Sequence, residues 1–167
     1  DIKDSLGRKW QCATVQLDFQ LPNRFELTYE SQSGRKETPI VIHRAILGSV
    51  ERFMGVYIEH TAGNFPLWIS PVQVKVMTVT DRNKKFAERI AGEMRKEGIR
   101  VELDQKSHSI GKKVRDAQIE KVNYMITVGD KEQKAKTLAV RTRDGKVKFG
   151  VKVDKFIKDL KKEIENK

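Results

Sequence analysis

A single cysteine, Cys12, is all the thiol chemistry the sequence contains, so no intrachain disulfide can form and the fold must rest on burial and hydrogen bonding. That scarcity is what a reducing compartment allows, and a cytoplasmic protein is expected. No apolar run approaches the roughly 20 residues of a membrane-spanning helix, and no charged-then-apolar leader opens the chain. An initiator methionine is also missing from the opening "DIKDSLGRKW", which suggests a piece of something longer. Internal repeats and low-complexity tracts are absent. These absences exclude a disulfide-stapled mini-protein, a membrane-spanning helical protein and a disordered tail.

What is present is charge, unevenly placed. Residues 1–66 hold eight Lys and Arg against eight Asp and Glu, whereas residues 67–167 hold 26 against 15, so the whole excess of +11 lies in the second part. A neutral segment, 1–66, joined to a basic one, 67–167, predicts two modules, of which the second has the electrostatic footprint of a phosphate binder. Charge alone fits a lysine-decorated solvated surface at least as well.

The first module reads as antiparallel strands followed by a helix, an α+β pattern. "CATVQLDF" (12–19) and "RFELTYE" (24–30) alternate and are rich in β-formers, "SQSGRKE" is turn chemistry, and "TPIVIHRAIL" is a third, largely buried strand. From Ser49 the period changes: Val50, Phe53, Met54, Tyr57 and Ile58 form one helical stripe, which Gly63 and Pro66 end. The second module reads β-α-β-α-β-β-β-α, an α/β sandwich with a mixed sheet. Its strands are 72–79, 99–103, 124–129, 137–143 and 146–153; its helices are 81–98, with Asp81 as N-cap and Gly98 as stop, 109–121 and 154–165. Asp144-Gly145 predicts a type I′ hairpin between the last two strands.

On the first helix, Arg52 falls with Gly48, Gly55 and Glu59 opposite the apolar stripe. Glycine inside a helix costs about 1 kcal/mol against alanine, so Gly55 needs a reason. Either another backbone packs closely there, or a flat ligand lies beside the arginine, whose guanidinium stacks on rings and forks onto phosphates. From the residues alone, a surface arginine beside a tightly packed helix is the commoner case.

A strand running into glycine and a helix that opens with "ER" resembles the third signature motif of class II aminoacyl-tRNA synthetases. "WQCATVQLDFQLPNRFELTY", "PIVIHRAILGSVERF" and "PLWISPVQV" are similar to the threonyl family, in family order from Trp10 to the end of the chain. The resemblance implies an antiparallel-sheet fragment of the class II catalytic domain (1–66) followed by an anticodon-binding α/β domain (67–167). It makes Arg52 the motif-3 catalytic arginine, stacked on the ATP adenine and reaching its terminal phosphate. Ser49, Gln11, Thr14 and Gln16 would line the ATP and adenylate pocket. Read without the resemblance, Gln11 and Thr14 are ordinary polar strand residues.

His43 illustrates the same contrast. A lone histidine in an apolar strand is usually a satisfied core residue. In the threonyl family, however, the histidine of "IHRAILGS" is the last of three zinc ligands, and the other two come from earlier sequence that is absent here. Cys12, His60 and His108 do not match those positions and show no ligand spacing. An open zinc can take the amino and hydroxyl groups of threonine and so reject near-isosteric valine.

In "TLAVRTR" the two-residue period puts Arg141 and Arg143 on one face, beside Ala139, with Leu138, Val140 and Thr142 on the other. Arginines on an open sheet face can read base edges and phosphates. The resemblance makes Arg141 the reader of the middle anticodon base and Glu132, in "GDKE", the reader of the third. Ser107 stands where the family has an asparagine. Lys112, Lys113, Arg115 and Arg143 are generic candidates for tRNA backbone contacts.

Three functions compete. The first is the C-terminal part of a threonine–tRNA ligase, with tRNA(Thr), threonine and Mg-bound ATP as partners and a homodimer as the family's usual state. The chain lacks the first two class II motifs, so by itself it is expected to be inactive. The second is a non-catalytic RNA-binding module derived from such an enzyme. The third, a sister enzyme such as the prolyl one, fits the basic module but not the long similarity around His43.

Overall fold

The computed structural model describes residues 1–4 and 6–166. The chain divides into two compact units, Asp1–Gly63 and Asn64 onward. The division falls upstream of Leu67 because Phe65 is tied to the second unit: its carbonyl accepts from Asn123 Nδ2 at 3.1 Å and from Arg143 Nη2 at 2.6 Å.

The first unit contains β1 (Ile2–Lys3), β2 (Lys9–Trp10), β3 (Thr14–Asp18), α1 (Gln20–Arg24), β4 (Tyr29–Glu30), β5 (Lys36–Glu37), β6 (Val41–Ala45) and α2 (Val50–Thr61). Its strands pair antiparallel in three ribbons, β1–β2, β3–β6 and β4–β5. The strand expected over 24–30 is mostly absent, for a local reason. Asp18 accepts from the backbone N–H groups of Gln20 (2.8 Å) and Leu21 (3.0 Å), which starts a short helix and takes Arg24 out of extended conformation. The "largely buried" third strand is also corrected. It is confined to Val41–Ala45, and Ile42 is 63% exposed, because among the described residues β6 pairs with β3 alone and no core cluster covers the ribbon.

Helix α2 begins where expected. Ser49 is its N-cap, accepting from Arg52 N at 3.3 Å, and left-handed Ala62 followed by Gly63 ends it. The stripe of Val50, Met54 and Ile58 stays about half exposed, and Val56 is the helix's one buried residue. Gly48 is not on the helix: it precedes it in left-handed conformation (φ +68°), where a Cβ would sit 3.1 Å from the Cys12 carbonyl oxygen.

The second unit contains β7 (Val74–Thr78), a 3₁₀ turn (Asp81–Asn83), α3 (Lys84–Lys96), β8 (Val101–Asp104), α4 (Ile110–Ile119), β9 (Tyr124–Val128), α5 (Asp130–Ala135), β10 (Thr137–Thr142), β11 (Val147–Lys152) and α6 (Val153–Glu165). They form one mixed five-stranded sheet in the order β11-β10-β9-β7-β8, as the sequence suggested. β7 runs parallel to β8 and β9, and β10 runs antiparallel to β9 and β11. Alternation then sorts the side chains. Val74, Val76, Ile126, Val128, Leu138 and Val140 pack with α3 and α6, while Met77 and Met125 pack with Ala117 of α4 on the other face.

Three local expectations change in this unit. Asp81 does not cap α3: Thr80 and Asn83 cap a 3₁₀ turn reciprocally, and α3 starts at Lys84. Helix α5 was not foreseen, because five polar residues and a single alanine carry no apolar period. The hairpin is not type I′, which needs two left-handed residues. Only Gly145 is left-handed (φ +89°), following a turn closed by Gly145 N donating to Thr142 O at 2.9 Å.

Candidate functional site

The face of the sheet away from α3 and α6 carries the polar residues of interest. Register places Arg141, Met125, Lys75 and Glu102 in one row across the strands, and Ala139, Thr127, Met77 and Asp104 in the next. α4 lies over the β7 part of this face and brings Lys113 with it. Lys113 is only 2% exposed; its ammonium donates to the carbonyls of Thr78 (2.9 Å) and Asp104 (3.4 Å) and lies 3.9 Å from the Asp104 carboxylate. That bonding corrects its expected role. Lys113 ties together the carboxyl ends of β7 and β8 and does not face a phosphate. Its helix neighbours Lys112 and Arg115 are exposed, as phosphate contacts need.

Lys75 is likewise buried on this face. Burial opposes its charge, but hydrogen bonds with Glu120 (2.5 Å) and Glu102 (3.1 Å) prevail and hold its pKa above the ordinary lysine value.

The carboxyl ends of the parallel strands are where ligands commonly meet open α/β sheets. Glu132 is there, on the first turn of α5 directly after β9. One carboxylate oxygen, Oε2, accepts from Gly129 N at 3.0 Å, and the residue is half-buried. Arg141 is farther along, opposite Met125 at the other end of β9, with Nη1 donating to Gly145 O at 3.0 Å. Glu132 and Arg141 therefore sit toward opposite ends of β9, roughly 13 Å along the strand direction at about 3.3 Å per residue.

The face around Arg141 is not the open one anticipated. Ala139 is 6% exposed, and both arginines are half-buried. Arg143 lies just past β10; its Nη2 is bonded to the Phe65 carbonyl, its Nε is buried with no hydrogen-bond partner among the described residues, and burial pushes its pKa below the ordinary arginine value. Arg143 is thus tied through one nitrogen to the loop before β7. Ser107 is exposed on the loop after β8.

In the first unit, Thr14, Gln16 and His43 share one face of the β3–β6 ribbon, with Gln16 directly opposite His43. The His43 ring Nε2 is 2.9 Å from Asp18 Oδ2, on the same face. Asp18 is held below the usual carboxylate range, first by the Leu21 amide and then by His43 and the Gln20 amide. Gln11 is exposed in the segment before β3, and its carbonyl, with that of Cys12, lies beside Gly48. The Ser49 hydroxyl donates to Glu51 Oε2 (2.7 Å) while capping α2. Arg52 is exposed, and no side-chain hydrogen bond or ion pair engages its guanidinium among the described residues. Beside it, Gly55 has nothing within 4 Å of an added Cβ, so close backbone packing does not explain that glycine within this chain. Among the described residues no group of three metal-ligating side chains exists. His43 and Asp18 alone do not make a zinc site, which needs three protein ligands.

Sequence reasoning missed Asn83. Its side chain is fully buried, and it joins the loop after β7 to α5. Its oxygen accepts from Thr80 Oγ1 (2.8 Å) and Thr80 N (3.3 Å); its amide nitrogen donates to Asp130 Oδ1 (2.9 Å) and Gln133 Oε1 (3.0 Å). A polar residue where the helix was expected to have begun carries no signal of burial.

Comparison with known proteins agrees with this division. Residues 73–163 match the family model "Anticodon binding domain", and residues 2–61 match "tRNA synthetase class II core domain (G, H, P, S and T)". The threonine–tRNA ligase of Clostridium tetani is 49% identical over 166 residues, and that of Desulfatibacillum aliphaticivorans 51% identical. In both cases the similarity spans 99% of this chain but 26% of the relative. The solved RNA binding domain of threonyl-tRNA synthetase from Cryptosporidium parvum Iowa II superposes with a TM-score of 0.83 at 37% identity, over 96% of this chain and 41% of that one. Prolyl-tRNA synthetase from Cryptosporidium parvum, solved with halofuginone and AMPPNP, is similar at a TM-score of 0.67 and 25% identity, over 93% of this chain and 35% of that one. Among the described residues no helix is long and apolar enough to cross a membrane.

Proposed function

The chain belongs to the anticodon-binding domain family, joined to class II core sequence as in the C-terminal region of threonyl-tRNA synthetases, and from that premise we propose that it recognises the anticodon of tRNA(Thr). The observation that carries this is the state of Arg141. It is held at one nitrogen by the Gly145 carbonyl, which fixes its direction and leaves the rest of the guanidinium fork for a base edge. Glu132 supports the reading in the same way: Oε2 is fixed by the helix cap, and Oε1 is left to accept from a base. Lys112 and Arg115 supply phosphate attraction that carries no sequence information.

The first unit contributes one side of an ATP site. Arg52 stands free on a helix whose N-cap, Ser49, sets its direction, and an arginine so placed can stack on adenine and neutralise phosphate charge in the Mg-bound nucleotide. His43 would be one ligand of a zinc whose other ligands lie outside this chain. Asp18 would orient its ring, leaving Nδ1 as the nitrogen open to a metal. Threonine activation, transfer to tRNA, dimer formation and a cytoplasmic site of action belong to the same proposal and to a longer protein, of which this chain spans about a quarter of the relatives' length.

A second reading, an RNA-binding module without catalysis, is favoured by one observation: among the described residues the hydrophobic core clusters lie in the second unit. ATP binding that depends on Arg52 separates the two, since a pure binding module has no use for it.

The test is binding of the chain to unmodified tRNA(Thr) transcripts, wild type and with the middle anticodon base changed, across a salt series. We expect the wild type to bind about tenfold more tightly, and Arg141→Ala to erase that preference. Equal binding of both transcripts with a steep salt slope would reduce the +11 charge to generic phosphate attraction and remove Arg141 from the site.

A further inference from the structure

We propose that Asn83 is a positioning residue for reading of the third anticodon base, acting through helix α5. The inference rests on the reading of Glu132 given above. Glu132 lies on a six-residue helix, too short to hold its own direction in water. Something must fix its rotation if a carboxylate on it is to meet one base edge.

Asn83 is the group placed to do this. Its amide nitrogen grips Asp130 Oδ1 at 2.9 Å and Gln133 Oε1 at 3.0 Å, two residues three apart and so on one face of α5. Its oxygen is held in turn by Thr80 Oγ1 and Thr80 N, at the end of the strand–turn that follows β7. The Asn83 side chain is itself completely buried, although its two partners on α5 are exposed, so its own orientation is set by the protein around it. Glu132 precedes Gln133 by one residue, about 100° around the helix, and points away from the gripped face. Clamping that face sets where Glu132 points. The Gly129 amide, bonded to Oε2, fixes the carboxylate itself. Asn83 touches no RNA in this scheme.

The experiment measures binding of the chain to three tRNA(Thr) transcripts: wild type, third anticodon base changed, and middle base changed. The proteins compared are wild type, Glu132→Ala, Asn83→Ala, Gln133→Ala and the double variant Asn83→Ala/Glu132→Ala. Each is used at its measured folded fraction. If the proposal holds, Glu132→Ala and Asn83→Ala each lower the third-base preference by about tenfold, and the double variant loses no more than Glu132→Ala alone. Middle-base preference, read by Arg141, stays within about twofold of wild type. Gln133→Ala, exposed and harmless to the core, removes one of the two grips and gives the same selective loss in smaller measure, which keeps the test valid should Asn83→Ala unfold.

Retention of third-base preference in Asn83→Ala, with Glu132→Ala losing it, overturns the proposal and leaves the anticodon reading standing. Equal loss for both bases makes Asn83 merely structural and also overturns it. No effect of Glu132→Ala removes the reading itself, and the proposal falls with it.

Discussion

Replacing Lys113 by methionine keeps the length and apolar stem of the side chain and deletes only its ammonium. That ammonium donates to the carbonyls of Thr78 and Asp104 and faces the Asp104 carboxylate at 3.9 Å, in a site 2% exposed. Leaving a buried acceptor without a donor costs roughly 1–3 kcal/mol, and removing one partner of a buried ion pair costs about 3–5 kcal/mol. The ion pair here is long, and Asp104 keeps the bond from Lys106 N at 3.0 Å, so the lower values apply. The methionine's own burial returns about 1 kcal/mol. The expected net loss is about 3 kcal/mol.

For a unit of this size that corresponds to a fall in melting temperature of about 12–24 °C. Amide exchange at Val76 and Ile126 is the more direct assay, because both are fully buried in central strands and open only with the whole unit. Two results together would refute the reasoning. One is an exchange free energy within about 0.5 kcal/mol of wild type. The other is an even loss of affinity for every tRNA tested, with a shallower salt slope, as for a lost phosphate contact. They would place the ammonium outside, against RNA.

Gly48→Ala demands a left-handed alanine and puts a Cβ 3.1 Å from the Cys12 carbonyl oxygen; we expect a loss of about 1–2 kcal/mol in the opening of α2, seen as faster amide exchange at Phe53 and Val56. The Asp144 carboxyl, stabilised first by Thr142 and then by Lys146, titrates at about 2 against an ordinary 3.8. A carboxyl lowered on folding contributes stability that is complete above 3.8 and lost as pH falls toward 2, so NMR titration should place its midpoint near 2 and show the β10–β11 turn intact at pH 3.

How much of this the sequence showed depends on where burial falls. In the second unit, period-two runs such as "VQVKVMTV" lie in a sheet packed on both faces, so apolar patterning and structure coincide and the mixed sheet was legible. In the first unit the same signals promised more than the fold delivers. "PIVIHRAIL" is apolar enough for a core strand, yet it forms one five-residue arm of a two-stranded ribbon, and Val15, Leu17 and Ile42 stay more than half exposed. A pattern records which face is suited to burial; it does not record whether anything within the chain covers it.

The polar sites divide along a different line. Glu132, Arg141, His43 and Arg52 were named from a family motif, and the fold leaves Arg52 and His43 exposed and Glu132 and Arg141 half-buried, each with some of its polar atoms unengaged. Lys113 and Asn83 needed geometry. A lysine in "SIGKKVRDAQIEK" looks like any other lysine on a basic helix, and only the closeness of the β7 and β8 ends turns it inward. An asparagine after "TVTDR" reads as one more polar residue of a helix start, and only α5, which carries no hydrophobic period, gives it partners. The residues that could touch a ligand are therefore the ones a motif can mark, because their chemistry is local. Asn83, proposed above to aim one of them, depends on contacts across 47 and 50 positions of chain, and no local window contains those.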